Sequence, residues 1–263
     1  MGLAFESIKG WILVKAYPQP SQQYQETVCC AALTEDGRLL RLYPIRYRLL
    51  KSDQKFNRFD LIQCRISKAE NDPRPESYKV DESSLIILNR ASSNANSKAA
   101  LWLNYVSLGL EWLKEQQATN RKSLGIIKLD INNLNFYYKP ISEAKEEELL
   151  YHQGMIQQQS RMFEETLDPL APLEFIFYYR FKLDGKSHNM QIHDWEVQTT
   201  YYQYKKRYAS KEEALAKMTQ FYNKDIKTMN PHFIMGTQFK RPKQFMIIGI
   251  LRTTAALNQG QLF

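Results

Sequence analysis

Arginine and tyrosine interleave between positions 41 and 48, where Arg41, Tyr43, Arg46, Tyr47 and Arg48 follow one another, with Tyr17, Tyr24 and Glu26 upstream. A guanidinium is a planar, permanently charged fork that grips phosphate. Tyrosine and arginine also stack on unpaired bases. Glu26 would receive a base amino group or brace one of the arginines. Together these residues suit a nucleic-acid groove, or a pocket for a base rotated out of its stack. Tyr24, Arg41, Tyr43, Arg46 and Arg48 are therefore candidate nucleic-acid contacts, and Glu26 a candidate catalytic carboxylate. The same pattern also suits an amphipathic strand with snorkelling arginines and ordinary aromatic packing.

A second group is His193-Asp194-Trp195-Glu196. On an extended strand Asp194 and Glu196 share one face. They would then form a carboxylate pair able to hold Mg²⁺ or to divide acid–base work, and His193 titrates near neutral pH. His193, Asp194 and Glu196 are therefore candidate catalytic residues. A nuclease site of this pattern wants a lysine two residues after the second acid, where this chain has Gln198. The plainer reading pairs both acids with arginine or lysine and packs Trp195 inside. No HExxH or GxSxG element is present, and no glycine-rich phosphate loop.

The third group is Tyr201-Tyr202-x-Tyr204-Lys205-Lys206-Arg207-Tyr208. Tyrosines beside cations make a stacking and phosphate-binding surface. Tyr201, Tyr204, Lys205, Lys206 and Arg207 are candidate nucleic-acid contacts, and Lys240, Arg241 and Lys243 add a further basic region. The last residues, Gln259-Gly260-Gln261-Leu262-Phe263, resemble the short peptide by which many bacterial DNA-processing proteins dock on the replication sliding clamp. Gln259, Leu262 and Phe263 match its spacing; Gly260 and Gln261 depart from the commonest intervening residues.

These groups need elements to hold them. Trp11–Tyr17, Glu26–Leu33, Arg38–Tyr43 and Asp60–Ser67 read as strands, with a tight turn at Glu35-Asp36-Gly37. A short helix or loop is expected within 46–59. Residues 1–68 thus suggest a small, mostly antiparallel β unit, a partly closed barrel. Residues 69–83, with Pro73 and Pro75, read as an extended connector, followed by a short strand at Ser84–Leu88 and a loop, so that 69–98 links two units. From 99 to 252 helices and strands mix: a helix over about 98–117, strands at Gly125–Leu129 and Leu134–Tyr138, and a helix over about 143–166. Phe175–Leu183 reads as a central strand, with His188–Trp195 as its hairpin partner. A helix capped by Ser210 and strands at Phe233–Gly236 and Gln244–Leu251 follow. Residues 253–263 read as a flexible tail. Strand clusters and helices without regular βαβ alternation predict an α+β fold.

Composition bounds the partners. The 263 residues carry 36 Lys and Arg against 28 Asp and Glu, a net charge of +8. That excess attracts polyanions, of which nucleic acid is the commonest in the cytosol. No apolar run approaches the roughly 18 residues of a membrane span, and the first residues lack the pattern of a signal peptide. Three cysteines without CxxC spacing suit a reducing, cytoplasmic compartment.

The segments YPQPSQQYQETVC, RLYPIRYR, KFNRFDLIQC, DPRPESY, IHDWE and FIMGTQFKRPKQFMIIGI resemble a family of bacterial conserved hypothetical proteins. The resemblance spans most of the chain and implies that the three groups belong to one recurring unit; it brings no activity with it. In pattern, the first 68 residues are similar to small β-barrel nucleic-acid modules of the PUA-like or OB kind. The leading expectation is a protein that binds DNA or RNA and takes an extruded or modified base as its target. A nucleic-acid hydrolase or glycosidase using Asp194 and Glu196, or Glu26, is the alternative. A non-catalytic subunit of a larger nucleic-acid machine is the third.

Overall fold

The structure, a computed structural model, describes residues 4–21, 25–143 and 173–253. It is a mixed α+β protein rich in sheet. Successive side chains of a strand point to opposite faces, and residues 12–14 and 30–33 are buried in unbroken runs, so the first strands need cover on both faces.

The N-terminal ladder contains β1 (Glu6–Lys15), β2 (Gln19–Ser21), β3 (Gln25–Thr34), β4 (Leu39–Ile45), β5 (Leu61–Lys68) and β6 (Ser77–Asn89). Their order is β1-β5-β6-β4-β3-β2, and β1 also pairs with β3, so the ladder returns to its starting strand. All its pairings are antiparallel except that of β4 with β6. Ile12, Val28, Cys30, Leu42, Phe56, Ile62 and Ile66 fill the space that the strands enclose. The turn between β3 and β4 forms at the expected Glu35-Asp36-Gly37, with Gly37 at φ +85°.

One expectation fails here. The sequence suggested a connector over 69–83 and then a short strand, but Ser77–Asn89 is one continuous strand. Few of its residues are buried, so it carries little apolar signal. Neighbours on both sides hold it: β4 beside Ser77 and Tyr78, and β5 along the rest. An Arg65–Asp81 ion pair crosses from β5, and Arg46, just past β4, pairs with Glu82. The N-terminal unit therefore does not end at residue 68.

A second difference is the helix expected over 98–117. It is split into α1 (Ala95–Trp102) and α2 (Leu110–Asn120), with the short strand β7 (Val106–Ser107) between them. Gly109 precedes α2 at φ +155°, and a Cβ there would meet both carboxylate oxygens of Asp184 at 3.0 Å. The Asp184 carboxylate accepts the N–H groups of Leu110 and Glu111, at 3.0 and 3.1 Å, and so caps α2 from a distant turn.

β8 (Leu124–Lys128), β12 (His232–Gln238) and β13 (Arg241–Leu251) complete a four-stranded sheet ordered β13-β12-β8-β7. β9 (Asn135–Pro140), β10 (Phe175–Leu183) and β11 (Lys186–Gln191) form a three-stranded sheet with β10 central. Helices α3 (Trp195–Arg207) and α4 (Lys211–Asn223) cover the C-terminal core, built from Phe136, Phe177, Tyr179, Tyr201, Met218 and Phe233 among others. Ser210 caps α4 by accepting the Glu213 N–H, as its sequence predicts. A third apolar cluster joins Leu13, Val14, Ala31 and Leu33 of the ladder to Leu124, Ile126, Ile234 and Ile248 of the four-stranded sheet. The two halves thus share a core layer. The helix expected beyond residue 143 lies outside the described residues, as does the tail over 254–263. No helix among the described residues is long and apolar enough to cross a membrane.

Candidate nucleic-acid interface

His193, Asp194 and Glu196 are not on a strand. β11 stops at Gln191, Ile192 makes a single bridge to Ile247, and Asp194 caps α3. The shared strand face expected for the two acids therefore does not form. Aspartate is a favoured cap because its carboxylate takes an orphan N–H of the first turn. Here Asp194 Oδ1 accepts the Glu196 N–H at 2.9 Å, and Oδ2 accepts the Ile250 N–H at 3.0 Å. Arg58 stands 3.7 Å from Asp194 and forms an ion pair with half-exposed Glu196. The same guanidinium donates to the carbonyls of Leu13 and, at 2.7 Å, Ile250. Burial pushes the Asp194 carboxyl up to about 6 against the pull of Arg58. Burial also acts to raise Glu196, but Arg58 outweighs it and the net shift is downward. Both acids thus serve a clasp between the ladder and α3. Among the described residues no group of three or more His, Cys, Asp or Glu side chains is placed to hold a metal ion. His193 is half-buried, and its backbone bridges Tyr17 and Ile247 at 2.8 Å each.

The arginines of the first group separate by role. Arg41 is buried and donates to the carbonyl and hydroxyl of Ser123, at 3.1 and 3.3 Å. Glu76 receives the Ser123 N–H at 2.8 Å from the other side. Arg41 is therefore a strut between the halves of the chain. Arg48 meets Glu26 through two nitrogens, at 2.9 and 2.8 Å, in the fork-to-fork geometry that suits this pair. Glu26 is buried, so this arginine neutralises a carboxylate that could not stand alone. Arg46 is half-exposed and paired with Glu82. Tyr43 is 42% exposed, and its hydroxyl accepts a 3.3 Å hydrogen bond from Thr27. Tyr24 lies outside the described residues.

The third group lies along α3. Tyr201 is buried, and its hydroxyl donates to Glu174 at 3.1 Å. Lys205 pairs with the same acid. Tyr204 is half-buried and meets Tyr208 edge to face at 5.5 Å. Lys206 and Arg207 are exposed, with the Arg207 guanidinium 5.8 Å from the Tyr208 ring centre. Among the described residues neither Lys206 nor Arg207 forms an ion pair. Cations in the last turn also complement the helix dipole. Lys240, Arg241 and Lys243 stand exposed at the β12–β13 turn and the start of β13. Roughly 30 Å of strand separates them from Ile250, which Asp194 holds at the start of α3.

One feature brings the first and third groups together, and another joins the first to the second. Tyr17 sits close enough to Tyr202, Glu26 and Arg48 for their charges to act on it; burial first, then Tyr202 and Glu26, raise its phenol pKa, while Arg48 lowers it. Tyr202, on α3, is itself pushed up to about 12 by burial and by Glu174. Lys15 links the first group to the second. Its ammonium donates to the Tyr47 hydroxyl at 3.0 Å and the Phe56 carbonyl at 3.2 Å, and it lies 4.1 Å from the Tyr47 ring centre and 5.5 Å from that of Trp195. Sequence reasoning did not single out Lys15, Arg58 or Glu174. Each is one charged residue whose partners lie far away in the chain, so no local pattern marks it.

A model described as a domain of unknown function (DUF8757) matches residues 109–263, more than half of the sequence. The chain belongs to the DUF8757 family. A second model of the same description (DUF8758) matches residues 6–104. The DUF8757 segment begins at Gly109, where α2 starts, and holds both smaller sheets apart from β7. The DUF8758 segment holds the whole ladder and α1. Arg41, Arg58 and Glu76 on one side, and Ser123, Asp194 and Glu196 on the other, join the two segments. No curated protein matches the chain.

Proposed function

We propose that the protein binds nucleic acid through the cationic end of α3 and the rim of the ladder that carries Tyr43. The observation that carries this reading is the exposed pair Lys206 and Arg207, set beside Tyr204 and Tyr208 at a helix end. Lysine and arginine displace the counterions of a phosphate backbone, and the tyrosine rings nearby offer stacking area. Half-exposed Tyr43 extends the surface as a platform for a splayed or modified base. The returning strand ladder supports a small barrel of the OB kind, in which one sheet face and its loops take oligonucleotides. A cytoplasmic location, and a sliding clamp as partner of Gln259, Leu262 and Phe263, belong to the same proposal. The hydrolase alternative has less support, because Glu26, Asp194 and Glu196 are occupied by Arg48, Arg58 and backbone N–H groups.

Fluorescence anisotropy with a labelled duplex, titrated from low to high salt, tests the reading. Each phosphate contact contributes about −0.9 to the log–log slope on duplex DNA, so replacing Lys206 and Arg207 with alanine should flatten it by about 1.8. Salt-insensitive binding, or an unchanged slope in the double variant, would overturn it.

A further inference from the structure

β10 runs through the middle of the three-stranded sheet, and its side chains alternate between two faces. Phe177, Tyr179 and Phe181 are buried in the core, while Arg180 and Lys182 are exposed on the other side with half-buried Tyr178. The register sets Tyr137 against Tyr178 and Asn135 against Arg180 on β9, and Asn189 against Arg180 on β11. The Tyr137 and Tyr178 rings lie nearly parallel, 15° apart in plane and 5.1 Å between centres. The Arg180 guanidinium stands 4.5 Å from the Tyr137 ring centre. The Tyr137 hydroxyl donates to the Asn189 side chain at 2.7 Å, which fixes the ring. Ile176 on the same face is buried, so the accessible area runs from Tyr178 towards Lys182.

Among the described residues the charged side chains on this face are Lys139, Arg180 and Lys182, all basic. Asp184, at the turn beyond, is directed instead at the N–H groups of α2. A solvated face commonly pairs opposite charges across its strands. Among the described residues this one carries a single sign beside two near-parallel rings with a guanidinium over one of them. Lys139 lies opposite buried Ile176, so it and Lys182 flank the accessible stretch from Tyr178 to Lys182, which is roughly 13 Å long and has room for about two bases on an aromatic sheet face.

We propose that this face binds single-stranded nucleic acid. A base stacks at Arg180, the exposed amides of Asn135 and Asn189 meet its edge, and Lys139 and Lys182 hold phosphates on either side. A duplex does not fit, because its bases keep their flat faces inside the stack. The inference rests on the nucleic-acid reading above, but it uses none of the residues that carry that reading.

The test measures binding of labelled twelve-nucleotide oligo-dT and oligo-U, and of a duplex, to the full chain. It compares the wild type with Arg180→Gln, Tyr137→Ala, the pair Lys139→Ala and Lys182→Ala, and the Lys206/Arg207 double-alanine variant. Arg180 is exposed, so Arg180→Gln keeps the fold. It should weaken single-strand binding about ten-fold and leave duplex binding unchanged. Tyr137→Ala should act in the same direction, and Tyr137→Phe should restore affinity by restoring the ring. The paired lysine variant should flatten the single-strand salt slope by about 1.4. If the wild type binds single strands and Arg180→Gln binds them equally well, the sheet face is overturned while the nucleic-acid reading stands. If the wild type binds neither form at low salt, both fall together. The oligo-dT and oligo-U arms show whether DNA or RNA is preferred.

Discussion

Asp194 and His232 are both buried, and they titrate in opposite senses. Burial lifts Asp194 from an ordinary value of 3.8 to about 6. A folded pKa above the unfolded one means that the proton favours folding. This contribution is full below about pH 4 and is lost as pH rises through 6. Burial beside Trp102 pulls His232 from 6.5 down to about 4. Its contribution is present above pH 6.5 and is lost as pH falls through 4. Between pH 4 and 6.5 the two effects oppose each other. Asp194→Asn should remove one of them, so its melting temperature should fall more steeply on acidification than that of the wild type. Thermal melts at half-unit pH steps decide this, and parallel curves would sink it. The sequence singled out Asp194 as a chemically eventful residue, and it is one, but as a cap and a clasp. His232 carried no signal, since its shift arises from core packing that brings Trp102 to within 5.0 Å.

At the scale of elements, the sequence revealed strands whose own residues supply the apolar face. Phe175–Leu183 emerges with the bounds that its aromatic run predicts, and the α4 cap at Ser210 is read directly. β6 was only partly legible because its neighbours hold it. The break between α1 and α2 was not, because its cap, Asp184, is contributed by the β10–β11 turn. Two substitutions test that long-range cap. Asp184→Ala should cost about 1–2 kcal/mol in urea unfolding, the range for a lost N-cap. Gly109→Ala should cost at least as much, because the backbone there lies at φ +155° and a Cβ would press on the Asp184 carboxylate. A midpoint unchanged in both variants would show that α2 does not depend on this contact. Of the candidate site, the exposed cations of α3 were visible as a cluster. The burial of Arg41 and Arg48 was not, because an arginine serving a strut and one serving a phosphate look alike in a sequence.

For the whole molecule, the DUF8758 and DUF8757 segments share an apolar layer and three polar links, through Arg41, through Arg58 and through Arg74, which donates to the Thr237 carbonyl at 2.7 Å. They should unfold together, with far-UV circular dichroism and tryptophan fluorescence giving coincident denaturation curves. Separated transitions would show that the layer is not cooperative. The DUF8757 match runs through Phe263 and so takes in the last five residues. Deleting 259–263 should abolish retention on an immobilised sliding clamp while leaving oligonucleotide affinity and melting temperature unchanged. Equal retention by the truncated chain would remove the clamp from the proposal.

The contact between β1 and β13 has a consequence for how the protein is made. Gly249 lies so close to Val14 that an added Cβ would come within 2.6 Å of it, and Ile250 accepts Arg58 through its carbonyl. Leu13, Val14, Ala31 and Leu33 are translated roughly 200 residues before the strand that covers part of their face. At about 5–20 residues per second, that face waits on the order of 10–40 s on the ribosome. A nascent chain stalled at residue 240 lacks β13 and should bind a chaperone or precipitate; one stalled on an added C-terminal linker long enough for Leu251 to clear the exit tunnel should resist protease. Equal protease resistance of the two would mean that the ladder closes without waiting for β13.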